Sequence, residues 1–172
     1  LAVVQDALER LSAGVLQLDP ESLAGELVVA VTPTMSVNWL PGIIGSYTQR
    51  YPEVELRFVT IEPHQRTLPR RFDLALCLGA PDEPGRVLRK IYQEYYFPVA
   101  SPALLARGGT VEQARDLLQY PLLHERYQHW EEWFALQGVA GASGAGDIHF
   151  DYGFQSIAAA RAGLGVVLAD QL

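Results

Sequence analysis

The chain has 172 residues, 49% of them apolar, so it can bury one core of ordinary size or two smaller ones. Its net charge of -7, from 20 Asp and Glu against 13 Lys and Arg, argues against a broad nucleic-acid surface, which needs clustered basic side chains. The single cysteine, Cys77, cannot form an intramolecular disulfide, and no apolar run approaches the roughly 20 residues that span a bilayer. Because no export leader opens the sequence either, we expect a cytoplasmic protein without membrane attachment.

The first segment carries apolar side chains at spacings typical of a dimerising helix. The spacings are 4, 3, 4 and 3 residues, at Val4, Leu8, Leu11, Val15 and Leu18. Only about two heptads are present, so an amphipathic helix packed on its own domain is an open alternative. Pro20 disfavours helix at the residue before it, and we therefore predict a linker or dimerisation helix over residues 1–20.

From residue 25 onward, short apolar runs alternate with patterns of helical period. The apolar positions Val37, Leu40, Ile44, Tyr47 and Tyr51 predict one helix that stops at Pro52. The neighbouring predicted elements are strands at 27–31, 54–59 and 73–78, the end of a short helix at 68–71 and a loop at 79–85. Strands separated by helices favour right-handed crossovers and a parallel sheet, so residues 25–97 should form one α/β subdomain.

The second half also alternates short apolar runs with helical patterns, but its sequence is not a repeat of the first half. Ser101 and Pro102 are typical of an N-cap and a first helical position, and Gly138 and Gly163 are expected to end helices. The predicted order is a strand at 97–100, a helix from 102, a short helix at 111–118, a strand at 122–124, a helix around 130–137, a loop at 140–146, a strand at 148–150, a helix at 154–162 and a strand at 165–169. Residues 98–172 should thus form a second subdomain, and we expect its C-terminal return to the first to be missing.

Several motifs, taken in order, resemble the effector-binding domain of LysR-type transcriptional regulators. They are Val31-Thr32-Pro33-Thr34 with Trp39-Leu40-Pro41, Arg50-Tyr51-Pro52-Glu53-Val54-Glu55-Leu56, Phe72-Asp73-Leu74-Ala75-Leu76, Pro98-Val99-Ala100-Ser101-Pro102, Tyr120-Pro121-Leu122-Leu123, Trp130 to Trp133, and Ala158 to Val167. No single motif is specific, but the ordered set over residues 25–172 is. It is most similar to the group that contains the glycine-cleavage activator and the β-lactamase regulator.

The resemblance implies a fold and a function. The fold is α/β, with two Rossmann-like subdomains joined by crossing strands, as in type 2 periplasmic binding proteins. The implied function is regulatory: a small-molecule effector between the lobes modulates transcription, and no cofactor or enzymatic activity is expected. The protein would be a homodimer or homotetramer that binds DNA only through a winged helix-turn-helix domain absent from this chain.

Candidate effector contacts follow predicted strands. After the first strand, hydroxyls at a helix start suit an anion, since helix N-termini present N–H donors. The candidates are Thr32, Thr34, Met35 and Ser36 there, Thr60 and Glu62 after the second strand, Ala100 and Ser101 at the crossing strand, and His124, Tyr127, Tyr152 and Phe154 in the second lobe. Those at Thr60, Glu62, Ala100 and Ser101 come from the resemblance. Purely structural roles are open alternatives for these residues. They are helix capping by Thr34, Ser36 or Ser101, a surface turn at Thr60, burial of His124 with its hydrogen bonds made within the protein, and core packing of Tyr152 and Phe154.

Catalytic and metal sites find no support in the sequence. It contains no Gly-x-Ser-x-Gly nucleophile elbow, and residues 141–146 lack the Lys-Ser/Thr ending of a phosphate-binding loop. Four His and one Cys show no paired ligand spacing, and Cys77 is expected to be a small buried apolar residue. Two alternatives remain: a solute-binding protein of the periplasmic type, which the missing leader and the heptad helix disfavour, and a small enzyme that uses the cleft.

Overall fold

The computed structural model describes residues 25–82, 84–127 and 129–170. The predicted linker helix and its residues Val4, Leu8, Leu11, Val15 and Leu18 lie outside these ranges. The chain divides into two compact units, with the boundary between Gln93 and Glu94. None of the helices in the described ranges has the length and apolar character that a bilayer crossing requires.

Unit 1 is a three-stranded parallel sheet with two helices between its first and second strands. The elements are β1 (Gly25–Val31), α1 (Pro33–Asn38), α2 (Pro41–Arg50), β2 (Val54–Thr60) and β3 (Leu74–Leu76), and the strand order is β2-β1-β3. Apolar side chains of β1, β3 and α2 form its core together with the two residues that join α1 to α2. The core residues are Val29, Val31, Trp39, Leu40, Ile43 and Leu76. The three predicted strands of this unit are therefore present, with β3 shorter than expected.

Two helix predictions in unit 1 are wrong. A single helix over 37–51 was expected, but the chain breaks between α1 and α2, where the N–H groups of Trp39 and Leu40 both donate to the Met35 carbonyl. Pro41 has no N–H to continue the ladder, so a new helix begins there and Val37 is left 52% exposed. Residues 68–71 form no helix because Pro69 lacks an N–H and disfavours helical backbone at the residue before it.

Unit 2 is a four-stranded mixed sheet. Its strands are β4 (Phe97–Val99), β5 (Leu122–His124), β6 (Ile148–His149) and β7 (Val166–Ala169), in the order β4-β7-β5-β6. Its helices are α3 (Pro102–Leu105), a 3-10 helix (Ala114–Gln119), α4 (His129–Leu136) and α5 (Gly153–Arg161). β5, β6 and β7 are parallel, and β4 runs antiparallel to β7.

The core of unit 2 has two parts because successive strand residues face opposite sides of the sheet. Leu122 and Val166 pack with Trp130 and Phe134 of α4. Their neighbours Leu123 and Val167 pack with the alanines of α5. The small side chains of α5 thus let a helix lie close against the sheet.

The helix predicted at 111–118 begins later than expected. The Asp116 carboxylate accepts hydrogen bonds from the N–H groups of Glu112 and Gln113, at 2.9 and 3.0 Å. This capping arrangement fixes Gln113 outside the helix, which runs from Ala114 to Gln119 as a 3-10 helix. Val111, predicted to be helical, precedes it in irregular structure.

Candidate functional site

The loops that follow the three strands of unit 1 lie at one edge of its sheet. Val31 pairs in register with Thr60 of β2 and with Leu76 of β3, so the three parallel strands end side by side. In open α/β sheets, ligands bind in the crevice outside these carboxyl ends. The structure therefore brings the six candidates of this unit to one edge: Thr32, Thr34, Met35, Ser36, Thr60 and Glu62.

The turn after β1 has a distinct local geometry. Thr32 occupies the N-cap of α1 with extended backbone, but its side chain makes no capping bond and is only 1% exposed. The Ser36 hydroxyl donates to the Pro33 carbonyl at 2.7 Å, so it does not cap the helix and keeps its oxygen lone pairs for a ligand donor. A ligand at this edge can thus be contacted through the half-buried side chains of Thr34, Met35 and Ser36 rather than through Thr32.

The loop after β2 is fixed to the sheet edge. The Ile61 N–H donates to the Val31 carbonyl at 3.0 Å, and Ile61 is buried. On either side of it, Thr60 and Glu62 are exposed. A buried anchor between two exposed polar residues is the arrangement expected of a loop that presents side chains to a ligand, and a surface turn would show it too.

Sequence reasoning missed two residues at this edge, His64 and Cys77. His64 lies in the turn that begins at Glu62. Cys77, expected to be a buried residue inside a strand, directly follows β3 and is half-buried. Burial raises the pKa of the Cys77 thiol, which keeps it protonated and a poor nucleophile. The signal was available for His64, since a parallel sheet places the residues after every strand at the same edge, but the predicted strand at 73–78 contained Cys77.

Unit 2 has a corresponding edge, formed by the ends of its parallel strands β5, β6 and β7. Tyr127 follows β5, and Tyr152 and Phe154 follow β6, with their rings stacked at 5.9 Å between centroids. The Arg126 guanidinium lies 5.8 Å from the centre of the Tyr152 ring and 3.3 Å from the Asp151 carboxylate. The structure thus gathers the three aromatic candidates at one edge with a basic side chain that the sequence had not singled out.

His124, the last residue of β5, contacts a carboxylate and a second histidine ring. Its Nε2 lies 3.2 Å from Asp147 Oδ2, and its ring stacks on that of His149 at 4.5 Å. Burial alone would raise the pKa of Asp147, but hydrogen bonds from the Leu122 and Gly144 N–H groups and the proximity of His124 hold it below its ordinary value. These are the contacts of a satisfied buried histidine, and His124 is only 8% exposed.

Ala100 and Ser101 are not brought together with the aromatic edge. Val99 at the end of β4 pairs with Val167, and Leu122, the first residue of β5, pairs with Val166. The antiparallel β4 therefore ends where the parallel strands begin, at the opposite end of the sheet from Tyr152. There Ser101 accepts a hydrogen bond from the Leu104 N–H at 3.3 Å, which is the capping role.

A cluster of titratable side chains also went unnoticed in the sequence. Glu125 Oε1 lies 3.3 Å from His129 Nε2, and the His129 ring stacks on Tyr96 at 4.5 Å. Burial raises the pKa of Glu125; the Tyr127 N–H opposes this shift, and the nearby charge of Glu94 adds to it. Burial also raises the pKa of Tyr96, together with the charges of Glu94, Asp170 and Glu125. This part of the edge is therefore acidic.

Replacing Glu125 with glutamine is expected to raise the melting temperature of the protein at pH 7. Because the pKa of Glu125 is higher in the folded protein, its favourable contribution is complete below about pH 4.5 and is lost as the pH rises through the folded value. The advantage of Glu125→Gln over the wild type should therefore grow between pH 4 and pH 7 in thermal melts. The exposed Glu131→Gln on α4 is the matched control, and an advantage equal at every pH would contradict the assignment.

Among the described residues, no group of three or more His, Cys, Asp and Glu side chains is placed to hold a metal ion. What the two sheet edges offer is hydroxyl, aromatic and charged groups on loops fixed by parallel strands. The carboxyl-end edge of a parallel sheet is where open α/β folds bind their ligands.

Comparison with known proteins gives the family. The model of the LysR substrate binding domain matches residues 20–172, and the chain therefore belongs to that family. The glycine cleavage system transcriptional activator of Escherichia coli (strain K12) is 26% identical over 170 residues, which are 98% of this chain and 56% of the relative. The regulator TrpI of Pseudomonas aeruginosa is 30% identical over 172 residues, 96% of this chain and 58% of the relative. The chain thus spans a little over half the length of these relatives.

Solved structures show the same fold. The effector domain of the transcriptional regulator AmpR of Pseudomonas aeruginosa aligns with a TM-score of 0.63 at 26% identity, over 85% of this chain and 70% of that one. CrgA, a LysR-type regulator of Neisseria meningitidis, aligns with a TM-score of 0.70 at 21% identity, over 98% of this chain and 57% of that one. The fold is thus that of LysR effector-binding domains, which is α/β and resembles type 2 periplasmic binding proteins. Both the family resemblance and the fold class expected from the sequence are confirmed.

Proposed function

We propose that this chain is the effector-sensing and oligomerisation region of a LysR-type transcriptional regulator, not an enzyme. Membership of the family and the likeness to relatives described as transcriptional regulators support the proposal. The regulator would act in the cytoplasm as a homodimer or homotetramer. It would bind DNA through a winged helix-turn-helix domain outside this chain, because this chain's net charge of -7 disfavours contact with the negatively charged DNA backbone.

The carboxyl-end edge of unit 1 is the observation that carries the effector site. Three parallel strands end together there, and the half-buried Thr34, Met35 and Ser36 stand beside the exposed Thr60 and Glu62. On unit 2, we propose the aromatic residues at the carboxyl-end edge of its own sheet as candidate effector contacts: Tyr127, Tyr152 and Phe154. Thr32 is buried, and its carbonyl accepts the Ser36 N–H and so supports the turn; Thr32, Ala100 and Ser101 do not belong to the proposed site. In this proposal His124 does not contact the effector. It pairs with Asp147, whose carboxylate accepts the Gly144 N–H and so anchors the loop over 140–146.

Binding of an effector does not by itself regulate transcription. An effector shifts the balance between two arrangements of a protein only by binding one of them more tightly than the other, and a difference of about 1–3 kcal/mol suffices for allosteric control. We propose that the effector-stabilised arrangement is transmitted through the linker helix predicted at residues 1–20. The hydroxyl groups of the unit 1 edge favour an effector with a carboxylate or another polar group.

The Ser36→Ala variant is expected to bind the effector about 3- to 10-fold more weakly than the wild type, since one uncharged hydrogen bond contributes about 0.5–1.5 kcal/mol. The probes are the twenty protein amino acids, simple aromatic and dicarboxylic acids, and peptidoglycan fragments. Each is tested first by its shift of the melting temperature, and then by calorimetric titration of any hit.

Ser46→Ala is the matched control. The Ser46 hydroxyl donates to the Ile43 carbonyl at 2.9 Å, as that of Ser36 donates to Pro33, but it lies within α2 rather than at the sheet edge. Both changes should cost similar stability, and only Ser36→Ala should weaken binding. If no compound in the panel raises the melting temperature of the wild type, the result counts against effector sensing; equal affinities of the two variants would remove Ser36 from the site.

A further inference from the structure

The loop after β2 contains a turn in which histidine occupies a position that favours glycine. The Gln65 N–H donates to the Glu62 carbonyl at 3.2 Å and closes a four-residue turn, with Pro63 in its second position. His64, in the third, has φ of 56°, the left-handed region. Pro at the second position and positive φ at the third are features of a type II turn, where glycine or asparagine is preferred. Among the residues that the structure describes, His64 is the only non-glycine residue with positive φ.

This turn is held in place from several sides. The Ile61 N–H bonds to the Val31 carbonyl at the start of the loop, and the Gln65 side-chain oxygen accepts from the Glu62 N–H at 2.9 Å. At its far end, the Asp82 N–H donates to the Arg66 carbonyl at 3.1 Å, which ties the loop after β2 to the loop after β3. The left-handed backbone of His64 is therefore part of a fixed structure.

The imidazole lies against the loop after β3. A Cβ built on Gly79 would be 3.7 Å from His64 Nδ1, and the φ of Gly79 is 77°, which itself favours glycine. The ring thus stands between the loops that follow β2 and β3, at the same sheet edge as Thr60. Its ring nitrogens add hydrogen-bonding groups of another kind to an edge otherwise formed by hydroxyl, thioether, thiol and carboxylate groups.

We infer that His64 is a further effector-contacting residue of unit 1, which donates a hydrogen bond from its ring to a carboxylate or a similar acceptor of the effector. The inference rests on the proposed function and adds to it a residue and a ligand chemistry. A residue kept in a disfavoured backbone conformation at a ligand edge is expected where the side chain serves binding rather than folding. Glycine at this position would improve the turn and remove the contact.

Two substitutions separate binding from folding. His64→Gly removes the cost of left-handed backbone in a residue with a Cβ, so it should raise the melting temperature while it weakens effector binding about 10-fold or more, the loss expected for a hydrogen bond to a charged group. His64→Asn also tolerates this backbone and should weaken binding to a similar extent without a large change of stability. Thr67→Ala, an exposed position in the same loop beyond the turn, is the control and should bind as the wild type does.

The probe is whichever amino acid or carboxylic acid of the panel raises the melting temperature of the wild type, and affinities are measured by calorimetry. Weaker binding by both His64 variants, with His64→Gly more stable than the wild type, supports the inference. Wild-type affinity in either variant overturns it and leaves the proposed function standing. The absence of any hit with the wild-type protein would contradict the proposed function and this inference with it, so the two failures are distinguishable.

Discussion

Replacing Gly165 with alanine is expected to destabilise unit 2 by about 3 kcal/mol, the upper range for overpacking a filled core. A Cβ at this position would lie 2.5 Å from the Pro121 carbonyl oxygen and 2.7 and 2.9 Å from atoms of the Leu123 side chain. Neither neighbour can give way, because the Pro121 carbonyl accepts the Val166 N–H at 2.9 Å and Leu123 is buried in the sheet. The close approach of β5 to the residue before β7 therefore requires glycine.

The Gly45→Ala variant is the matched control for this prediction. Gly45 lies inside α2, and a Cβ there would meet nothing within 4 Å, so alanine should stabilise the protein by about 0.5–1 kcal/mol through its helix preference. Urea unfolding would measure the change in the free energy of unfolding. Hydrogen exchange of the amides in β5 and β7 would report on unit 2 directly. A Gly165→Ala protein with the protection of the wild type in these strands would show that the sheet adapts more readily than the contacts imply.

The second large effect is expected from Asp147→Ala, at about 2–4 kcal/mol. One carboxylate accepts hydrogen bonds from the Leu122 and Gly144 N–H groups, each at 3.0 Å, and pairs with His124 at 3.2 Å. Removing it leaves donors without acceptors in a largely buried place, and each such donor costs about 1–3 kcal/mol. The loop over 140–146, predicted from the sequence to be solvated, depends on this residue for its anchor.

The dependence on pH follows from the lowered pKa of Asp147. A carboxylate with a depressed folded pKa contributes stability at pH values above its unfolded pKa, near 3.8, and loses it as the pH falls through the folded value. The deficit of Asp147→Ala should therefore be complete at pH 7 and shrink only in strong acid. Asp151→Ala is the control, because Asp151 is 72% exposed and its single ion pair with Arg126 contributes about 0.5 kcal/mol. Equal melting temperatures for the two variants would contradict the anchoring role.

The strands were predictable because their apolar runs are local. The runs at 27–31 and 54–59 correspond to β1 and β2, and 165–169 to β7, within two residues at each end. The helix break at Trp39 was missed because the periodicity of the apolar positions carries across Pro41, whereas the hydrogen-bond ladder does not. A hydrophobic pattern reports which residues are buried, and not which N–H groups are available.

The candidate site was predictable only in part, for a different reason. The group from Thr32 to Ser36 was found because a helix start after a strand is visible in the sequence. Ser101 was a candidate by resemblance alone, and a three-residue apolar run could not reveal that β4 is antiparallel, which places the loop after it at the opposite end of the sheet from Tyr152. The left-handed backbone of His64 depends on turn conformation, and the contact of His129 with Tyr96 joins residues distant in sequence, so neither could be predicted, although the position of His64 after a predicted strand was visible.

The central claim, that the carboxyl-end loops of unit 1 bind the effector, is tested most directly by nuclear magnetic resonance. The amide spectrum of the isotope-labelled chain would be followed during titration with a compound that raises its melting temperature. We predict saturable shifts at Thr34 to Ser36, Thr60 to His64 and Cys77 to Gly79. Shifts confined to α2 or to the loop over 140–146, with these three segments unchanged at saturation, would contradict the account.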